Sequence, residues 1–271
     1  NEDEFETPLV VTDTILTYDI AIKAAFVYEV LEQEPQRQFA LALAQRVKNA
    51  FRENLLDEQS GTVKGNTQTG QAMAIFYGLL TDEEKPKALN LLLKYIDEAD
   101  GHFNTGVLGG RVIYRVLAEN GEVDLAYNMI VRPDYPSYGN WVKRGATTLW
   151  EGFYPENGRV SSLNHHFWGD ISAWFYTYLA GMRINPTGKD ATNVDVKPLF
   201  PEKLDSVTAY HDTTVGRISV YWERTGENTV ELAVEASKAM HGKIVLPEGY
   251  KFADGSTSKL LTSGNFHLSA N

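Results

Sequence analysis

The sequence contains no cysteine, which excludes disulfides, thiolate zinc sites and cysteine nucleophiles. It has no Asn-x-Ser/Thr acceptor either, because Pro186 disqualifies the near match at Asn185. That disfavours a eukaryotic secreted glycoprotein. No apolar run approaches the ~18–20 residues of a membrane span. Cations are in short supply: 25 Lys and Arg face 36 Asp and Glu, for a net charge of −11. Nucleic acid, whose phosphates demand Lys and Arg, is therefore not an expected partner. The opening residues, Asn1-Glu2-Asp3-Glu4, show neither a starting Met nor a signal-peptide pattern, and read as a cut inside a longer protein. Common catalytic signatures are missing too, among them HExxH and GxSxG. Between Gly181 and Lys189 the glycines lie too far apart for a phosphate loop, and Asp190 stands where Ser or Thr is required. Adjacent His165 and His166 diverge on a helix and make poor joint metal ligands. No metal and no cofactor is expected.

What is present is an ordinary globular composition, 43% apolar and 23% charged over 271 residues. A chain of that length can bury roughly 70–75% of its unfolded surface. From about Asp13 to Met182 the apolar period is helical. Ile15, Ile22, Phe26 and Val30 step down one face, and Phe39, Leu43, Val47 and Phe51 down the next. Ala72, Ile75, Phe76, Leu79 and Leu80 follow, then Ala88, Leu91, Leu92, Tyr95 and Ile96. Val123, Ala126, Tyr127 and Ile130 make a shorter stripe, and Ile171, Trp174, Phe175, Tyr178 and Met182 an aromatic one. Thr81 and Glu84 have the spacing of a capping box that opens a helix. Short links force antiparallel neighbours, so the segment predicts a run of α-hairpins, closed as a ring or open as a solenoid. The lack of a fixed-length repeat weighs against the solenoid.

After Arg183 the period becomes two. Ile218, Val220 and Trp222, a turn at Thr225-Gly226-Glu227-Asn228, and then Val230, Leu232 and Val234 predict a hairpin with one buried face. Ile244, Leu246, Phe266 and Leu268 extend the pattern, which suits an antiparallel β-sandwich. The boundary is expected near Asn185-Pro186-Thr187-Gly188, giving domains 1–185 and 186–271.

The stretch from Asp134 to Gly169 has little helical period and is dense in aromatics, including Trp141, Trp150, Phe153, Tyr154 and Trp168. Long irregular segments in helical domains are often functional. Ring faces pack against the C–H faces of a pyranose, while carboxylates and imidazoles bond its hydroxyls. The competing reading is that these aromatics only cover helix ends. Glu151, between Trp150 and Gly152, is a candidate base, with an ordinary surface Glu as its alternative. His165 and Asp170 are further polar candidates; for His165 the alternative is a half-buried histidine at a helix start.

Several separated motifs in the right order carry a resemblance. They are Gly145-Ala-Thr-Thr-Leu-Trp-Glu151, Ser162-Leu-Asn-His-His-Phe-Trp-Gly169 and Ala173-Trp-Phe-Tyr-Thr-Tyr-Leu-Ala-Gly181, with Gln68-Thr69, Thr105-Gly106 and Asp134-Tyr-Pro-Ser-Tyr-Gly139 upstream. Together they resemble glycoside hydrolase family 78, the bacterial α-L-rhamnosidases, over roughly residues 10–185. The β region resembles that family's C-terminal sandwich only loosely. The resemblance implies that residues 1–185 are the later helices of an (α/α)6 catalytic barrel and 186–271 a C-terminal β-sandwich. It implies an inverting glycosidase acting on a rhamnose-containing carbohydrate. Glu151 matches the family's general base, and His165, after Asn164, its sugar-contacting histidine. Asn164, Trp150 and Trp141 are taken as further substrate-binding residues. The family's general-acid motif has no counterpart in this sequence and is expected upstream of Asn1. Many members continue after Trp-Glu with Arg or another polar residue and then Trp, where this chain has Gly152-Phe153-Tyr154.

The resemblance leaves the compartment open between the periplasm or exterior of a bacterium and its cytoplasm. Two other functions stay in play: a glycosidase for uronic or gluco-configured sugars on the same barrel type, or a non-catalytic carbohydrate-binding or scaffold module. By itself the chain is expected to be inactive. An incomplete ring of helices would leave apolar faces uncovered, so homo-association of the truncated barrel is expected.

Overall fold

The structure is a computed structural model describing residues 6–158, 161–184 and 190–270. The expected domain boundary at Asn185–Gly188 lies outside the described residues. The chain forms two compact units: Asn1–Leu117 with Asn128–Trp168, and Ala118–Tyr127 with Gly169–Asn271.

The helices run in chain order as α1 (Leu9–Val30), α2 (Glu34–Leu55), α3 (Gln68–Phe76), α4 (Lys85–Glu98), α5 (Val107–Glu119), α6 (Val123–Val131), α7 (Tyr138–Lys143) and α8 (Asp170–Trp174). A small antiparallel ladder, β1 (Leu56–Asp57) with β2 (Thr62–Val63), joins α2 to α3. The expected α4 stripe is the buried one, through Ala88, Leu92 and Ile96.

The first hairpin differs from expectation. α1 and α2 pack lengthwise, but Ile22, Val30 and Phe39 point outward, Phe39 being 67% exposed. The buried positions are Val11, Thr12, Ile15, Ala21 and Ala25 on α1, and Ala40, Ala44, Phe51 and Leu55 on α2. Alanines make up much of the covered face, with Ile15 and Phe51 as its large members, while Ile22, Val30 and Phe39 are left on the outer faces. α1 is apolar on nearly every side, so spacing alone could not choose which side would be covered. Leu9, Val10, Ile20, Ile22, Val27 and Val30 form its exposed apolar surface.

α3 is buried along almost its whole length, from Gln68 to Ile75. Two buried amides there bond through both their nitrogen and their oxygen. Gln68 donates to the Tyr95 and His102 carbonyls, both at 3.1 Å, and accepts from the Asn104 N–H at 2.8 Å. Gln71 donates to the Gly61 carbonyl at 2.6 Å and accepts from the Val63 N–H at 3.2 Å. Before α4, the Glu84 carboxylate takes the Thr81 N–H at 2.8 Å, which is one half of the expected capping box. The same carboxylate receives both Arg52 Nη atoms, at 2.7 and 2.8 Å, and is held well below the usual range, at about 2. The Arg52 bonds are the main cause and the Thr81 N–H a further one, while burial opposes them.

The expected aromatic helix through Met182 is broken up. α8 passes into a π turn, Phe175–Leu179, in which the Ala180 N–H reaches the Phe175 carbonyl at 3.0 Å. The wider turn shifts the later side chains by about one position relative to an α-helix. Trp174 and Tyr178 are buried, Phe175 is exposed, and Met182 belongs to a strand. Gly181, at φ +78°, ends the helical path. A Cβ there would sit 2.1 Å from the Pro198 nitrogen, so only glycine allows this close crossing.

The strands that follow are β3 (Met182–Ile184), β4 (Val194–Val196), β5 (Ser206–Thr213), β6 (Gly216–Gly226), β7 (Thr229–Ala236), β8 (Lys243–Val245), β9 (Tyr250–Phe252), β10 (Ser258–Leu260) and β11 (Gly264–Ala270). They form a four-stranded sheet, β10-β8-β4-β3, and a five-stranded antiparallel sheet, β5-β6-β7-β11-β9. The pairing of β4 with β8 is parallel; every other named strand pair is antiparallel. The expected hairpin is β6–β7, with Val220 opposite Val234 and Trp222 opposite Leu232. Its buried side chains join Met182, Val194, Val196 and Ile244 of the other sheet in one core. Trp222 is central to that core: its indole N–H donates to the Leu179 carbonyl at 2.8 Å and its ring meets Phe200 edge-on at 5.0 Å.

Candidate functional site

The aromatic stretch after α7 has little regular structure but is well bonded. Residues 148–151 and 162–165 run side by side in opposite directions. The Glu151 N–H donates to the Ser162 carbonyl at 2.9 Å, and the His165 N–H to the Leu149 carbonyl at 2.8 Å. The Thr148 hydroxyl donates to the Leu163 carbonyl between them. This pairing brings Glu151 and His165 together, with Nδ1 3.9 Å from Oε2. The Glu151 carboxylate is about one-third exposed (37%), so it can meet a water or a ligand.

The backbone beneath Glu151 is anchored by aromatics. Trp168 donates its indole N–H to the Glu151 carbonyl at 2.9 Å. Phe153 stacks on Trp141 at 4.2 Å and 14°, and meets Phe103, Tyr138 and Trp168 edge-on. Such stacked and T-shaped pairs fix ring positions beyond what area burial does. Burial pushes the Tyr114 hydroxyl, which borders the same cluster, well above its usual range. The Arg144 guanidinium lies 5.0 Å from the Trp150 ring centroid and also donates to the Tyr154 carbonyl at 2.5 Å.

The sequence-expected residues therefore fall into two groups. Glu151 and His165 are neighbours with accessible polar atoms, and Asn164 is exposed beside them, its backbone in a small turn with the Ser162 hydroxyl. Trp150 and Trp141 are buried, at 7% and 3% exposure, and Phe153 occupies one face of Trp141. Both tryptophans are thus walls of the aromatic cluster. Sequence reasoning did not assign Ser161, Tyr154, Arg144 or Trp168 to the site; Ser161 and Trp168 bond Glu151 directly, Tyr154 bonds Ser161, and Arg144 bonds Tyr154. Ser161 donates to Glu151 Oε2 at 2.5 Å, and the Tyr154 hydroxyl lies 2.8 Å from the Ser161 oxygen. High aromatic density was the sequence signal for Tyr154 and Trp168, and Trp168 also lies in the Ser162–Gly169 motif. Ser161 had none.

Residues 1–179 match the bacterial α-L-rhamnosidase six-hairpin glycosidase domain, and residues 191–259 the bacterial α-L-rhamnosidase C-terminal domain. An α-L-rhamnosidase of Formosa agariphila is 32% identical over 249 residues, 88% of this chain and 26% of that protein. One from Alteromonas sp. (strain LOR) is 31% identical over 220 residues, 78% of this chain and 23% of that protein. The chain thus spans about a quarter of the length of these curated relatives. Among solved structures, the Streptomyces avermitilis α-L-rhamnosidase complexed with L-rhamnose aligns at TM-score 0.86 and 23% identity, over 98% of this chain and 27% of that one. The native Aspergillus terreus enzyme aligns at TM-score 0.85 and 22% identity, over 97% of this chain and 31% of that one. The fold is accordingly that of the later helices of an (α/α)6 barrel followed by a β-sandwich, and the chain belongs to the bacterial α-L-rhamnosidase family.

Proposed function

We propose that the protein of which this chain is part removes terminal α-L-rhamnose from glycosides or polysaccharides with inversion at the anomeric carbon. Glu151 is the general base, taking a proton from the attacking water. His165 and Asn164 bond sugar hydroxyls, while Trp150 and Trp141 shape the apolar wall. The observation that carries this reading is the Glu151 carboxylate itself. It is part exposed, beside an imidazole, with one oxygen held by a serine hydroxyl and its backbone clamped by Trp168. An inverting mechanism needs a second carboxylic acid about 6.5–9.5 Å away to protonate the leaving oxygen. In this reading the acid comes from the part of the protein outside this chain, and the chain by itself does not turn over substrate. Residues 1–185 contribute to the catalytic barrel and 186–271 to the accessory sandwich, which also takes in β3 (Met182–Ile184).

A panel of aryl glycosides given to the full-length protein tests the assignment. Release from the α-L-rhamnoside, with β-L-rhamnose as the first product, is the expected result. Release from glucosides or glucuronides instead would move the protein to another glycosidase class.

The isolated chain associates with itself in this reading, since the outer face of α1 is apolar. Light scattering of the isolated chain should show dimers or larger species at high concentration. A clean monomer would reject the association.

A further inference from the structure

The Glu151 carboxylate does not stand alone in its loop. Ser161 Oγ donates to Oε2 at 2.5 Å, and the Tyr154 hydroxyl lies 2.8 Å from the same Ser161 oxygen. A serine hydroxyl has one proton to give. Since that proton goes to Glu151, the Tyr154–Ser161 bond must run the other way, with Tyr154 as donor. The result is a directed chain, Tyr154 O–H to Ser161 O–H to carboxylate, in which each bond polarises the next.

Tyr154 is placed by two features of this sequence. Arg144 holds its carbonyl at 2.5 Å. Gly152 leaves room for its ring: a Cβ at 152 would be 3.2 Å from both Cζ and the hydroxyl oxygen. A larger residue at 152 would have to push the ring away.

We infer that Ser161, oriented by Tyr154, is a positioning residue for Glu151. It pins Oε2 so that Oε1 is the oxygen presented to the attacking water. This inference rests on the reading of Glu151 as the base. A carboxylate free to rotate about its last bond presents either oxygen in many directions, and a displacement near 1 Å at a reacting group can cost on the order of 100-fold in rate. Neither hydroxyl needs to touch the sugar, so the effect belongs in kcat and not in KM.

The test uses the full-length protein and an aryl α-L-rhamnoside, with Ser161→Ala, Ser161→Thr, Tyr154→Phe and Glu151→Gln measured together. Ser161→Ala is expected to lower kcat by about 10- to 100-fold with KM within about twofold. Ser161→Thr, which keeps the hydroxyl, should recover most of that loss, and Tyr154→Phe should lose less than Ser161→Ala. Thermal melts of all four should match the parent. If Glu151→Gln is inactive while Ser161→Ala keeps its kcat, the positioning role is overturned and the base assignment stands. If Ser161→Ala instead raises KM, lowers the melting temperature and is not recovered by threonine, Ser161 is only structural. Should Glu151→Gln remain active, the base assignment itself fails, and the role of Ser161 with it.

Discussion

Glu151→Gln in the full-length protein is expected to lower kcat on an aryl rhamnoside by roughly 10²–10⁴-fold, the usual worth of a positioned proton-transfer group. The amide is nearly isosteric and can still accept from Ser161, which donates to Oε2 at 2.5 Å. The backbone bonds of residue 151 to Ser162 and Trp168 do not involve the side chain at all. Folding and sugar affinity should therefore change little, and the loss should appear in kcat. An amide cannot take a proton from water at neutral pH, so the defect is chemical. Steady-state kinetics with a parallel melting curve decide the matter. A variant with near-parental kcat would show that another group activates the water.

The second large effect concerns stability. Glu84 is 5% exposed and receives a two-pronged bond from Arg52 as well as the Thr81 N–H. Removing Glu84 forfeits these charge-assisted bonds, while Arg52, 20% exposed, keeps Glu58 at 2.7 Å, so the cost is about 1.5–3 kcal/mol. Glu84→Ala should lose an amount in that range in urea denaturation. Glu84→Gln should lose less, because it can keep the Thr81 bond. A loss under about 1 kcal/mol would mean that the pair behaves like a screened surface bridge. The same group makes stability depend on pH. Its folded-state value is depressed from 4.5 to about 2, so its contribution is complete above pH 4.5 and is lost as pH falls through 4.5 toward 2. That depression corresponds to roughly 3 kcal/mol. The acid-induced fall should be flattened in Glu84→Gln.

The two predictions rest on features that differed in how far the sequence revealed them. The Thr81–Glu84 spacing was readable, because a capping box is a local pattern; that Arg52 would complete it, 32 residues earlier, was not. The α4 stripe and the β6–β7 hairpin were legible for a related reason: apolar and polar positions contrast sharply along them. α1 lacks that contrast, so its covered side depends on which neighbour approaches. α5 escaped the periodic reading, although Val112, Ile113, Val116 and Leu117 are buried, because Gly109 and Gly110 dilute its first turn. The π turn at Phe175–Leu179 broke an assumed 3.6-residue period. At the candidate site, ordered motifs pointed to Glu151 and His165, and loop pairing sets them 3.9 Å apart. The hydroxyl that holds the carboxylate was invisible, since a single serine in a loop carries no periodic or motif signal.

The bond from Trp222 to the Leu179 carbonyl bears on how such a sandwich can be exchanged between relatives. The C-terminal family match begins at residue 191, yet the core that it encloses includes Ala180 and Met182. A recombination breakpoint between positions 184 and 191 would strip away β3 and leave a buried indole N–H with a foreign partner or none. The heritable cassette is therefore longer than the matched domain and starts no later than Leu179. Even then it draws on two upstream acids: Glu119 accepts from the Tyr178 hydroxyl, and Asp124 from the Glu202 N–H. A chimera that transplants the sandwich should carry positions 119 and 124 along with it.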